Sequence, residues 1–457
     1  MLFHTWPFLV FFAIVYPIFL LLRKTPFWGH WLAIASYVFY GWWNPLYLIL
    51  IVYSTALDYW CVRRMMRTDR RLLWLWVSLV NNLGLLALYK YVGFVCENIN
   101  YLLLRFDLPY EIEAPDWRLP VGISFFTFQS MSYTIDYYRG NVEAEPSFLR
   151  FATFVSFFPQ LVAGPIERAK NLLPQLRTAP RISRENLSDG VSLFLTGLFK
   201  KVALSNYLAA YADRIFDVPE RYDASHLTFA IFAFAWQIYF DFSGYTDMAR
   251  GVARVMGFNL MLNFRHPYLA TGLTDFWSRW HISLSTWFRD YVYIPLGGNR
   301  SGTFRTYRNL FLVMLISGFW HGANWTHVIW GAAHGLAAVV MRPIERSTWY
   351  DKIPSFFRQL FIFAFVCFCW IFFRAANVTD AWTIITRITS TGWSDPEFPL
   401  LLAGLIVLVW IYQWLSESKF SFLVENRWVK IALAIAMVLY LSVAPGQGDK
   451  PFIYFQF

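Results

Sequence analysis

The sequence predicts an all-α polytopic membrane protein, and three observations carry that reading. Of its 457 residues, 57% are hydrophobic and only 15% charged, whereas a soluble globular chain is nearer half apolar and a quarter charged. Aromatic side chains make up 21%, and these suit both hydrophobic interiors and membrane interfaces. Apolar stretches long enough to cross a bilayer, about 20 residues each, recur along the whole chain. Together these exclude a disordered chain, a disulfide-knit secreted module and an ordinary cytosolic enzyme. The net charge of +10 does not point to nucleic acid, because cytoplasmic loops of membrane proteins collect Lys and Arg. Cys61, Cys96, Cys367 and Cys369 lie in or beside apolar runs without a CxxC pair, the pattern of buried thiols.

The first apolar stretch, 7–22, has no basic leader and no small-residue cleavage site, so it reads as a retained helix. Residues 29–60 are long enough for two spans, with a break at Gly41-Trp42-Trp43-Asn44-Pro45, where proline cannot continue a helix. Arg23, Lys24 and the arginines at 63, 64, 67, 70 and 71 then face the cytoplasm. The next stretch, 72–94, crosses outward to an acidic loop holding Asp107, Glu111, Glu113 and Asp116, which places the N-terminus outside. Stretches 119–137 and 148–165 follow, the second ending in Ala163-Gly164-Pro165, read as a re-entrant turn. A basic loop, 166–185, leads to further candidates at 188–212, 226–246, 308–341, 356–374, 398–415 and 429–446.

Residues 263–309 break this pattern, being too polar to span and too aromatic for an ordinary loop. Within them Phe276, Trp280, Leu284 and Trp287 follow helical spacing, with Arg279, Ser283, Thr286 and Asp290 opposite. The spacing predicts one helix over 273–289, capped by Thr274 and Asp275, lying at the interface or packed into the mouth of the bundle.

An ionisable side chain inside a membrane bundle is costly and draws attention as a functional candidate. His321 lies between two apolar stretches, in Phe319-Trp320-His321-Gly322-Ala323-Asn324-Trp325. Gly318 and Gly322 are spaced one helical turn apart, which lets a backbone or ligand approach. Spacing alone leaves two readings open, a catalytic histidine or one hydrogen-bonded between helices. His281, on the flank of the 273–289 stripe, is either a second functional group or an interfacial anchor. His327 and His334 are two turns apart, too far to ligate one ion directly. No HExxH, zinc-spaced Cys/His cluster, phosphate-binding glycine loop or GxSxG elbow occurs, so a metal site is not expected. Asp241 and Asp247, in Gln237-Ile238-Tyr239-Phe240-Asp241-Phe242-Ser243-Gly244-Tyr245-Thr246-Asp247, need partners in an apolar setting. Either they pair with basic residues such as Arg279 or Arg289, or they line a cavity. Pro451 to Phe457 end the chain with four aromatics in six residues, which predicts a docked segment.

RWHISLSTWFRDYVYIPLGGNR (279–300), Trp320-His321-Gly322 and QIYFDFSGYTDMA (237–249) resemble the membrane-bound O-acyltransferase superfamily. The likeness is closer to its bacterial branch of alginate O-acetyltransferase membrane subunits and teichoic-acid D-alanylation proteins. It runs from SYVFYGWW (36–43) through LVAGPIER (161–168) to the terminal FIYFQF. The resemblance implies a single domain over 1–457, a ring of about eleven tilted helices around a central funnel, with re-entrant and interfacial pieces. It implies a multi-pass protein of the bacterial inner membrane. His321 matches the family's catalytic histidine and His281 its second polar position, which orients the donor or polarises its carbonyl. Trp320, Asn324, Gln237, Asp241, Ser243, Arg279 and Arg289 are candidates to line the donor path.

No bound cofactor is implied. The donor is acetyl-CoA on the cytoplasmic side, and the acetyl group passes to periplasmic acetyltransferase or acceptor proteins that modify an exported polysaccharide such as alginate or cellulose. The terminal residues resemble the C-terminal motif of the small partner peptide of the D-alanylation system, which makes Tyr454 a candidate acyl relay or, alternatively, a packing tyrosine. Competing readings are peptidoglycan O-acetylation, D-alanyl transfer to teichoic acid, acylation of a lipid or secreted protein, and, in another class, a polysaccharide transporter or channel.

Overall fold

The computed structural model describes residues 1–117, 119–300, 302–443 and 450–453; Tyr454 lies outside the described residues. Among these residues the chain is helical, with no strand. In order the helices are α1 (Trp6–Leu22), α2 (Trp28–Gly41), α3 (Tyr47–Met65), α4 (Arg71–Lys90), α5 (Val92–Arg105), α6 (Ile123–Tyr138), α7 (Phe148–Ser156), α8 (Ala169–Arg177) and α9 (Arg184–Phe199). A π-helical turn, Lys200–Ser205, joins α9 to α10 (Asn206–Phe216), and the long α11 (Ala224–Val255) follows. Then come α12 (Leu273–Arg279), α13 (Ile282–Phe288), α14 (Thr303–His321), α15 (Trp325–Glu345), α16 (Thr348–Lys352), α17 (Ser355–Arg374), α18 (Val378–Ser390), α19 (Leu400–Glu417), α20 (Ser421–Glu425) and α21 (Arg427–Val443).

The chain divides into two compact units, one of residues 1–194 with 248–261, the other of 195–247 with 262–457. In the first, the expected break falls between α2 and α3, at residues 42–46. Phe3, Phe8, Phe11, Phe39 and Phe158 meet ring to ring in its core. Asp58 is fully buried on α3 and accepts from Ser78 Oγ (2.6 Å), Asn82 Nδ2 (2.9 Å) and Ser130 Oγ. A buried carboxylate is tolerable in an apolar bundle only when it is satisfied in this way. After α7 the chain passes through buried turns at 158–164, where Gly164 leaves no room for a side chain against Gln160. Glu167 follows, buried, accepting from the Met261 N–H and from Asn171 Nδ2, both at 2.5 Å. Burial pushes its carboxyl up to about 7, against hydrogen bonds and arginines that favour the charge.

In the second unit the stretch 308–341 resolves into the antiparallel hairpin α14–α15, which turns at Gly322–Asn324. Helices α4, α17 and α19 are long and apolar enough to cross a membrane, with α1 a shorter apolar helix. Most of the other expected stretches form helices that are shorter or that carry polar side chains turned into the protein.

Candidate functional site

Close approach of α14 and α15 sets the first part of the site. A Cβ on Gly331 would meet the Met314 carbonyl oxygen at 2.6 Å, and one on Gly335 the Phe311 ring at 2.9 Å. Gly318 faces Gly331 and the His327 carbonyl with equally little space. Small residues here let two backbones touch. Gly322 lies beyond the end of α14 in extended backbone, so it does not share a helical face with Gly318 as the spacing suggested. Its missing side chain is instead filled by the His327 ring, 2.6 Å from where a Cβ would stand.

His321 is the last residue of α14 and is 4% exposed. Trp320, Trp330 and Phe373 approach its ring edge-on, with centroids at 4.9, 5.3 and 5.4 Å. Trp330 also packs on His334 (4.8 Å), which sits among Trp277 and Phe365. An imidazole buried among aromatic rings is a side chain that can serve as a positioned acid or base. Asn324 caps α15, accepting from the Thr326 N–H (3.1 Å) and donating to the Ala376 carbonyl (2.9 Å).

His281 differs from expectation in its backbone. The predicted helix 273–289 is broken at Trp280-His281 into α12 and α13, with His281 at φ 44°, ψ 54° in the left-handed region. Non-glycine residues enter that region only where surrounding contacts over-determine them. Here Asn263 and Arg265 provide the contacts: Ile282 N–H donates to the Asn263 carbonyl, and Arg265 N–H to the Arg279 carbonyl, each at 2.9 Å. The break turns the His281 ring inward, 1% exposed, against Phe242 (4.6 Å) and Phe264 (6.3 Å). Burial drops its pKa to about 3, so the ring is neutral at physiological pH. The start of α12 also departs from expectation. Gly272 is the N-cap, Asp275 accepts from Thr271 N–H, and Glu345 accepts from Leu273 N–H.

The carboxylates of α11 find lysines rather than Arg279 or Arg289. Asp241 pairs with Lys201 at 2.7 Å, both side chains 3% exposed, and Asp247 pairs with Lys200 at 2.6 Å. The π turn at 200–205 delivers both lysines. Arg279 pairs with Asp275 and Glu417, and Arg289 with its neighbour Asp290. The Lys201–Asp241 pair holds residues 450–453: Ile453 N–H donates to Asp241 Oδ2 (2.8 Å) and Lys201 Nζ to the Lys450 carbonyl (3.2 Å). Phe452 packs on Tyr245 and on Phe242, the ring that also touches His281.

His281 and His321 stand at opposite ends of one aromatic chain. It runs from His281 through Phe264, Trp280, Trp370 and Trp330 to His321. Gln237 and Ser243, buried on α11, belong to the same unit. Lys201 and Asn263 were not singled out from the sequence. A lysine pair inside the apolar run 195–212 was the available signal for the first. Nothing in the sequence around Asn263 marks it.

A family model for membrane-bound O-acyltransferases matches residues 141–379, which include both histidines. A Pseudomonas putida protein named "Probable alginate O-acetylase AlgI" is 38% identical over an alignment of 465 residues, covering 93% of this chain and 94% of that protein. A Helicobacter pylori "Peptidoglycan O-acetyltransferase" is 37% identical over 386 residues, 78% of this chain and 72% of that protein. A Bacillus subtilis "Teichoic acid D-alanyltransferase" is 28% identical over 270 residues, 54% and 67% of the two chains. The helical, apolar architecture and these likenesses agree: the chain is a membrane acyltransferase and belongs to the membrane-bound O-acyltransferase family.

Proposed function

We propose that this enzyme carries acetyl groups from acetyl-CoA across the bacterial inner membrane for O-acetylation of an exported, alginate-like polysaccharide. About eleven spans would form a ring whose funnel reaches His321 from both faces. The observation that carries the reading is His321 itself, a buried imidazole at the end of α14 in a wall of aromatic rings. The high-coverage likeness to an alginate O-acetylase supports the choice of polymer.

In this reading His321 takes the proton of an attacking hydroxyl. The hydroxyl oxygen bonds to the thioester carbonyl carbon, the C–S bond breaks, and coenzyme A leaves as the thiol with that proton. A neutral histidine suits this work because its unperturbed pKa lies near neutrality. The exposed Arg300 and Arg305 would hold the donor's phosphates at the cytoplasmic mouth. A charged coenzyme does not cross roughly 30 Å of hydrocarbon, and an acetyl group handed through the protein does not need it to. The acetyl group would then pass to periplasmic partner proteins, with Tyr454 a candidate relay.

The test is acetyl-CoA turnover by the purified protein in lipid, for wild type and His321→Ala, with cellular polymer assayed for O-acetyl esters. Loss of general-base help should lower turnover by about 10²–10⁴-fold in a variant that still folds. Polymer acetylation that survives the substitution would overturn the assignment. Esters found on peptidoglycan would favour the reading suggested by the Helicobacter relative.

A further inference from the structure

Asn263 makes a set of bonds that fixes more than a backbone bend. Its side chain is 1% exposed, and its Oδ1 receives the Ser283 N–H (3.2 Å) and the Ser283 Oγ–H (2.9 Å) while lying 3.1 Å from His281 Nδ1. A backbone N–H can only donate. The Ser283 amide therefore determines which end of the Asn263 amide faces it: oxygen, not nitrogen. An oxygen acceptor 3.1 Å from Nδ1 requires that Nδ1 carry the ring proton. In a neutral imidazole the other nitrogen then holds the lone pair.

We propose that Asn263 is a positioning residue that locks His281 as the Nδ1–H tautomer, so that Nε2 serves as the acceptor of a hydrogen bond from the acyl donor, at the other end of the aromatic chain from His321. This rests on the acyl-transfer reading above and narrows it. Of the two roles the family resemblance allows, polarising the thioester carbonyl needs a donor at Nε2 and is excluded by this tautomer. His281 accepts instead from an amide N–H of the donor's pantetheine arm, which orients the donor. Its left-handed backbone, stapled by Ile282 N–H to the Asn263 carbonyl, keeps Nδ1 at Asn263 rather than turning the ring over. Burial alone accounts for the low basicity of the ring. Around it Phe242 and Phe264 present apolar rings. Asp241, next in chain to Phe242, is already paired with Lys201.

The experiment uses the full chain in lipid vesicles with acetyl-CoA turnover followed across pH. Asn263→Asp keeps the acceptor but places a carboxylate on Nδ1–H, which should raise the His281 pKa by about 1–3 units. An acid limb should then move up the kcat/KM profile by that amount, with near wild-type activity above it. Asn263→Leu removes the acceptor and frees the tautomer. Its kcat should fall by at least about 10²-fold, less than the loss of about 10⁴ when a catalytic-triad histidine is held in the wrong tautomer. If Asn263 variants do not fold, His281→Gln, whose amide oxygen reaches the Nε2 position, should retain more activity than His281→Asn, whose amide reaches only Nδ1. A wild-type acid limb in active Asn263→Asp, or His281→Asn matching His281→Gln, overturns the proposal. Turnover that persists in His321→Ala would instead overturn the acyl-transfer assignment beneath it, so the two failures are distinguishable.

Discussion

Removing one partner of the Lys201–Asp241 pair should be among the most damaging changes this chain can suffer outside its histidines. Both side chains are 3% exposed and 2.7 Å apart. Lys201→Met leaves the Asp241 carboxylate buried with the Ile453 N–H but no counter-charge. Asp241→Asn leaves the ammonium beside the Lys450 carbonyl without the carboxylate that neutralised it. An uncompensated buried charge of this kind costs about 3–5 kcal/mol. The double variant Lys201→Met/Asp241→Asn removes both charges and keeps an oxygen for Ile453 N–H, so most of that cost should vanish and the two changes should be strongly non-additive. The assay is thermal unfolding in detergent, followed by size exclusion, together with protease access at residues 450–453. Both single variants should unfold well below wild type and expose the segment, and the double variant should recover toward wild type. Single variants as stable as wild type, or a double variant that falls by the sum of the two, would refute the reasoning.

Three further outcomes follow from the geometry. Gly331→Leu drives a side chain into the Met314 carbonyl, 2.6 Å from its Cβ. It should cost about 1–3 kcal/mol as overpacking and lower acyl-transfer activity by splaying α14 from α15, read by thermal shift and turnover. Glu167 keeps its proton up to about pH 7 in the folded protein against an ordinary value of 4.5. The folded state binds the extra proton between these values, so stability should fall as pH rises from 4.5 to 7, by up to about 3 kcal/mol. Glu167→Gln should flatten that part of the melting-temperature profile. If Arg300 and Arg305 hold the proposed donor, Arg300→Gln with Arg305→Gln should raise the KM for acetyl-CoA and leave kcat nearly unchanged, the mark of binding lost equally from ground and transition states.

Hydropathy located most helices because a membrane segment has to be apolar over a fixed length. The break after Gly41 was legible because Trp42-Trp43-Asn44-Pro45 cannot continue a helix. His321 was legible too, as an ionisable residue between two apolar runs. The bend at His281 was not. Phe276, Trp280, Leu284 and Trp287 keep helical spacing across it, and the bend is imposed by Asn263 and Arg265, 18 and 16 residues before His281 in sequence. The partners of Asp241 and Asp247 were missed for a related reason. Arginines in a polar segment look like natural counter-ions, yet the pairing is decided by the turn at 200–205, whose geometry no local periodicity reveals. Small residues were identified correctly at Gly318, but Gly322 lies just past the helix end, where spacing rules for a helix no longer apply.

That wide turn has a genetic consequence. A π turn holds more residues than the α turn it replaces, so it works as a phase dislocation in an otherwise regular rod. Each residue of an α-helix turns the face by about 100°. Because a π turn spends its extra residue on one wider turn, deleting one residue of Lys200–Ser205 would let the rod close into plain α-helix with α10 in nearly its present rotational phase. Leu208, Ala209, Ala212 and Ile215 would keep their buried faces. Deleting the first residue of α10 instead, inside regular helix, would turn every later position by about 100° and take Asp213 from Arg374 and Lys450. Length is therefore more tolerant at this turn than in the regular helix that follows it.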